Sequence, residues 1–307
     1  MNGVLVYQRP GTTALCVSTP PTGGTKPNIA IARWGGVANA GTGSGNTARA
    51  IGNESFALAS GGKTNTATAN GAFAAATATE GNGNTSIANG FRSEALTISG
   101  DGNTARANDE FGLAIAGFGN GNKASASGAG SEALTGLGDG NSAAADGPNS
   151  KALATDGDGN SAAADGSDSS ATTVRGNKNS ATASGVASFA SASDGNGNRA
   201  HSKNGGWALA GPYALDDASN AVGSGNNNVA AARGAGAKAI AGGGQKNNAT
   251  ANGTDTQATA GNGDKNTATA KNGGTATATN GDNNRAAALE DCVFTLNGVS
   301  GQNGQCK

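Results

Sequence analysis

Residues 100–107 read Gly100-Asp101-Gly102-Asn103-Thr104-Ala105-Arg106-Ala107, and a closely similar phrase returns every 19 residues. Its Asn stands at 46, 65, 84, 103, 122, 141, 160, 179 and 198 without a slip. A Gly-containing turn precedes most copies, and x-Ala-x-Ala follows nearly every one, as in Asn179-Ser180-Ala181-Thr182-Ala183. A fixed period in this range is the signature of a stacked repeat. Working outward, the phrase starts at Asn28, 18 residues before Asn46. It resumes at Asn228, Asn247, Asn266 and Asn284, which makes fourteen copies in all.

Each unit has a second half. About nine residues after the Asn comes a second alternating phrase, seen at Ser55 to Ala59, Ser93 to Thr97, Ser131 to Thr135, Ser150 to Ala154 and Ser188 to Ala192. Alternation over about five residues, bounded by Gly, Asn and Asp, signals a strand. Two short strands and two turns per 19-residue coil, stacked about fourteen high, predict an all-β fold: a parallel β-solenoid, or β-roll.

Parity sets the orientation. Charged or bulky residues fall between the alanines, as with Arg49, Arg106, Lys123, Glu94, Glu132 and Lys151. Charges belong outside, so the alanines point in. The repeating Asn shares their parity and is expected inward at a corner, as a ladder whose amides satisfy turn backbone groups. Burying Ala yields well under the roughly 1.5–3 kcal/mol of a larger side chain. Backbone ladders and stacked Asn must then supply more of the stability than usual.

Composition agrees with a thin core. The chain has 307 residues, 54 of them Gly, with 4 % aromatic and 13 % charged residues and a net charge of −1. Leu, Ile, Val and Phe together are 36 residues, about 12 %, a level that usually means disorder. Disorder normally comes with high net charge and no locked phase, and here the phase holds over eight steps. No basic surplus points to nucleic acid as a partner, and no apolar run approaches a membrane helix. Val4 to Tyr7 is too short for the core of a signal peptide, so the expected extracellular or cell-surface location carries no visible export signal.

The ends differ from the middle. Residues 1–27 hold Val4, Leu5, Val6, Tyr7, Leu15 and Val17 with four prolines, and read as an N-terminal cap and Pro-rich connector. Residues 28–290 form the repeat domain, with a register break at 199–227. Residues 291–307 read as a C-terminal cap. Cys292 and Cys306 bracket a 13-residue loop and are the preferred disulfide pair, with Cys16 left over or pairing elsewhere.

The stretch from Ala48 to Gly61, Ala-Arg-Ala-Ile-Gly-Asn-Glu-Ser-Phe-Ala-Leu-Ala-Ser-Gly, resembles the head repeats of trimeric autotransporter adhesins, A-x-A-x-G-x-x-S-x-A-x-A-x-G. That resemblance covers residues 28 to 289 at the level of the half-repeat. It implies a parallel β-roll that self-associates and binds host surfaces. The 19-residue period is longer than the family's usual coil, and no neck, stalk or anchor pattern follows. A weaker resemblance is to RTX-type repeats that stack Ca²⁺ in G-x-G-N-D corners. Here the corners read Gly-Asp-Gly-Asn at 100–103, 138–141 and 157–160, and Thr or Ser stands where the Asp would follow. That departure removes a hard anionic ligand, so no cofactor is expected beyond Ca²⁺ as the alternative at these corners.

Two places stand out as candidate sites. Reading one position per coil on the second strand gives Leu58, Thr77, Leu96, Ile115, Leu134, Leu153, Thr172, Ser191, Leu209 and later Ile240, a row whose aliphatic members are Leu58, Leu96, Ile115, Leu134, Leu153, Leu209 and Ile240. With the alanines inward this row is an outward apolar stripe suited to self-association as a trimer or dimer; with the second strand flipped it is core. The register break holds Trp207, Tyr213, Asp216 and Asp217, the one place for a ligand cleft with paired carboxylates. A single His and no nucleophile–base arrangement argue against catalysis. The chain therefore reads as a non-enzymatic, secreted or surface-exposed structural or adhesive protein. The first alternative is a carbohydrate-binding or carbohydrate-active solenoid using residues 205–220. The second is an ice-binding solenoid built on Thr66/Thr68, Thr267/Thr269 and Thr275/Thr277/Thr279.

Overall fold

The computed structural model describes residues 4–8 (main chain), 13–211 and 225–307. It is all β, with 31 strands of four to six residues among the described residues and no helix able to cross a membrane. At two strands per coil this is a parallel β-solenoid of about 15 coils. The chain packs as two compact units, Met1–Ser150 and Lys151–Lys307.

In the first unit, the strand following each repeat Asn pairs in parallel with its counterpart one coil on, from Val4–Gln8 to Ser142–Ala145; these form the first sheet. The strands from Leu15–Ser18 to Glu132–Gly136 form the second sheet in the same way. The second unit repeats the plan. Its first sheet runs from Ser161–Asp165 to Asn303–Cys306, and its second from Lys151–Thr155 to Val293–Asn297. The terminal segments thus extend the sheets themselves, which brings the count to about 15. Cys292 and Cys306 are bonded within the last coil, Cα atoms 6.2 Å apart. Cys16 points inward opposite Ala38, and its Sγ accepts from the Ala32 N–H at 3.1 Å.

The interior follows the parity. The inward alanines of both strands are buried to 0–3 % exposure, and the second strand is not flipped. Ala105 and Ala107 of the first sheet and Ala114 and Ala116 of the second are all fully buried. Where a hydroxyl replaces an inward Ala it finds a partner, as in Ser86 Oγ to Thr97 Oγ1 at 3.0 Å.

The largest fully buried side chains are the repeat asparagines. Each amide works in both directions. Asn103 Nδ2 donates to Gly119 O in the next coil at 2.8 Å and to Ser99 O in its own at 3.4 Å. Its Oδ1 accepts the main-chain N–H of Asn122 at 2.9 Å. The same link joins Asn28 to Asn46 and continues to Asn141; in the second unit it runs from Asn160 to Asn284, where Gln302 N closes it.

The ladder also resolves the register break. Asn228 N donates to Asn198 Oδ1 across 30 residues, and Asn198 Nδ2 reaches Gly225 O across 27. The regular offsets are 19 and 16, so both exceed the norm by 11. The break is a complete coil 11 residues longer than the norm. Trp207 pairs with Phe189 at an offset of 18 and with Lys238 at 31, so the stretch between Gly211 and Gly225 carries 12 extra residues and the turn before Trp207 is one shorter. Tyr213, Asp216 and Asp217 lie in it, outside the described residues.

The Gly three residues before each Asn from Asn46 onward has a steric cause. At Gly100, φ is +119°, and a Cβ would sit 1.9 Å from Gly119 O of the next coil. The same contact recurs at Gly81, Gly119, Gly157 and Gly176. Only glycine allows both the backbone conformation and the stacking distance.

Replacing Asn103 with Ala removes two donated bonds and leaves the buried Asn122 N–H without an acceptor, which should cost about 3 kcal/mol. The exposed Asn89→Ala serves as control and should stay within roughly 0.5 kcal/mol. Denaturant midpoints compare them, and equal shifts would contradict a structural role for the ladder.

Candidate interaction surfaces

With the interior filled by Ala and Asn, chemistry is left to the outer columns. On the second sheet of the first unit, register places Val17, Asn39, Leu58, Thr77, Leu96, Ile115 and Leu134 in one column. Leu58, Leu96, Ile115 and Leu134 are outward and half-buried. Thr77 separates Leu58 from the rest, so the continuous run is Leu96–Ile115–Leu134. Leu113 beside Ile115, and Ile98 beside Leu96, widen it into a patch. Exposed Phe111 and Phe118 flank the strand Leu113–Gly117 at its two ends.

The second unit differs. Its column reads Leu153, Thr172, Ser191, Leu209, Ile240, Thr259 and Thr277. Leu153 stands alone, and Leu209 and Ile240, adjacent and outward by register, are buried to 2 % and 6 % exposure. The predicted stripe is therefore a patch in the first unit and an adjacent pair in the second.

Beside the patch lies a feature that column reading misses. Phe73, Phe91 and Phe111 are exposed at the turn before the second strand. Their rings meet edge to face, with centroids 5.8 and 5.7 Å apart. The Arg92 guanidinium sits 5.6, 5.2 and 6.0 Å from the three centroids. Phe73, Arg92 and Phe111 occupy the same left-handed turn position in successive coils, with φ between 53° and 58°. Phe91 stands one residue ahead, so the Phe spacing is 18 and then 20, which hides the cluster from a 19-residue scan. The cation over ring faces favours this packing.

Of the predicted ligand region, Trp207 is described. It occupies an ordinary strand position, its ring tilted 50° to that of Phe189 with centroids 5.3 Å apart, and Lys238 Nζ lies 5.6 Å from its centroid. Nothing described brings carboxylates to it.

The Asp corners form a second, exposed ladder that runs opposite to the first. Asn82 N donates to Asp101 Oδ1 at 2.7 Å, Asp101 N to Asn120 Oδ1 at 2.8 Å, and Asn120 N to Asp139 Oδ1 at 2.7 Å. Carboxylates read as candidate Ca²⁺ ligands thus accept main-chain amides. No group of three or more His, Cys, Asp or Glu placed to hold a metal occurs among the described residues. On the first sheet, Thr47, Thr66, Thr85 and Thr104 form an unbroken column, while the adjacent column reads Arg49, Thr68, Ile87 and Arg106. The flat Thr array expected of an ice-binding face is one column wide here.

His201 lies on the first sheet between Arg199 and Lys203 on its own strand, with Arg233 opposite Lys203 in the next coil. Burial, then Arg233, then Lys203 lower its pKa below the ordinary 6.5. A lowered value means the folded chain binds fewer protons than the unfolded one. The associated stability is present above pH 6.5 and is lost as pH falls through the folded value. The melting temperature should therefore drop between neutral pH and about pH 5.5, with a shallower slope in His201→Gln. Identical slopes in the two proteins would contradict the assignment.

In comparisons with known proteins, no family, no curated protein and no solved structure matches the chain.

Proposed function

We propose that the chain is a non-enzymatic, surface-exposed structural and adhesive repeat protein that self-associates through the second sheet of its first unit. The observation that carries this reading is the outward patch of Leu96, Ile98, Leu113, Ile115 and Leu134 on one sheet face. Contiguous outward apolar side chains on a rigid sheet are the usual mark of an interface. Ridges of Leu and Ile one coil apart present a surface that a second copy of the same face can match. The resemblance to adhesin head repeats supports association into a trimer or dimer and attachment to a host or cell-surface ligand. The Cys292–Cys306 bond supports an oxidising, extracellular setting.

A carbohydrate-binding role for the region of Trp207 is the second reading. It is favoured by the exposed Trp207 ring paired with Phe189 beneath Lys238. Glycan-array binding that disappears in Trp207→Ala would support it over self-association alone.

Light scattering on the intact chain tests the main proposal. An oligomer is expected, and Ile115→Asp with Leu134→Asp should convert it to the monomer mass at an unchanged unfolding midpoint. A monomeric wild type, or an oligomer untouched by both substitutions, would overturn it.

A further inference from the structure

The charges of this chain are sorted by face, although its net charge of −1 conceals this. In the first unit, the strands of the first sheet carry Arg33, Arg49, Arg106 and Lys123 and no acid. In the second unit, they carry Arg199, Lys203, Arg233, Lys271 and Arg285, with Asp165 as the one acid among the described strands. All nine cations are exposed. The second sheet's strands hold two of each sign: Glu94, Glu132, Lys151 and Lys238.

Turn chemistry explains where the acids are. Asp in a corner accepts main-chain N–H groups, as Asp101 and Asp139 do. It does not explain why nine of eleven strand cations face out of one sheet. Nor does stability. Lys203 stands directly opposite Arg233, and like charges at that spacing, ~4.8 Å between strands, are unfavourable. Arg106 and Lys123 likewise occupy neighbouring coils, with Lys123 opposite Thr104. The pKa of His201 is lowered chiefly by burial, and Arg233 and Lys203 beside it lower it further.

We infer that the outer face of the first sheet binds an acidic polysaccharide. The proposal deepens the adhesive reading by naming the ligand class, and it uses neither the apolar patch nor Trp207. The pattern of side chains selects the class. Cations on neighbouring strands, as with Arg106 and Lys123 or Lys203 and Arg233, are separated by strands whose outward residues are mostly hydroxyls and amides, with Ile87, Ala144, Ala163 and Asp165 among them. The column Thr47–Thr66–Thr85–Thr104 offers one hydroxyl per coil beside Arg49 and Arg106. A chain of sugars with widely spaced carboxylates or sulfates meets both groups. Single-stranded nucleic acid is recognised by stacking on aromatic side chains. From Asn28–Arg33 onward, this sheet holds no Phe, Tyr or Trp in its strands. Duplex DNA carries one phosphate per roughly 1.7 Å, a density that these separated pairs do not match.

The test is retention of the intact chain on immobilised polyuronate at low salt, with neutral dextran and duplex DNA in parallel. Binding to polyuronate is expected, abolished by about 0.5 M NaCl through screening, with none to dextran. Arg106→Glu/Lys123→Glu and Lys203→Glu/Arg233→Glu should each weaken it about tenfold, and the corresponding Gln pairs should fall between. Lys151→Glu/Lys238→Glu makes the same change in net charge on the other sheet and should leave retention nearly intact. Equal losses from both sheets, stronger retention on DNA, or no polyuronate binding would overturn the inference. If the chain still bound neutral glycans or cell surfaces in that case, the adhesive reading would stand without it.

Discussion

The amide of a buried asparagine holds this structure in register. One side chain donates to the corner of its own coil and of the next, and accepts the next coil's main-chain N–H, so every polar atom it buries is used. A buried amide left unpaired is costly, and any slip of a coil would unpair three such groups together. Register is thereby specified without large apolar side chains. Alanine can then line the interior, because close approach of the two sheets rather than apolar volume gives the core its packing. The glycine three residues before each Asn from Asn46 onward is a consequence of the same stacking: the carbonyl that receives the amide lies where a Cβ would have to go.

This economy has a functional corollary. An interior of Ala and Asn, with Ser or Thr at a few positions such as Ser86 and Thr97, varies little from coil to coil, so most differences between coils appear outside. The second sheet of the first unit gathers Leu and Ile; the first sheet of both units gathers Arg and Lys; the turns gather Asp. Outer faces of opposite character on one repeated scaffold would let the self-association and the ligand capture proposed above occupy separate sheets. The 12-residue insertion after Gly211 shows the tolerance of such a scaffold, since Asn198 and Asn228 bond across it at 3.0 Å as if it were absent.

Much of this could be read from the chain. The 19-residue period gave the coil, the alternation gave the strands, and the shared parity of Ala and Asn gave the inward ladder. What escaped had physical causes. The direction of the amide bonds depends on three-dimensional offsets of 16 and 19 residues that no local pattern encodes. The exposed Asp and Asn corner ladder uses residues that also occur in ordinary solvated turns. Phe91 hid because it sits one residue off the turn position shared by Phe73, Arg92 and Phe111. Leu209 and Ile240 have the outward parity of the stripe yet are buried, which parity alone cannot reveal. The basic face was masked because the acids in the turns cancel it in the total.

Amide hydrogen exchange tests the ladder most directly, because the same corner holds two sets of main-chain N–H groups bonded to side-chain oxygens. Those of Asn65, Asn84, Asn103 and Asn122 donate to buried Asn Oδ1 atoms. Those of Asn82, Asp101 and Asn120, two residues away from a ladder Asn, donate to exposed ones. If the buried amides tie the coils together, the first set exchanges only with global unfolding and the second through local opening. Equal, fast exchange of both sets would contradict the ladder as the tie between coils.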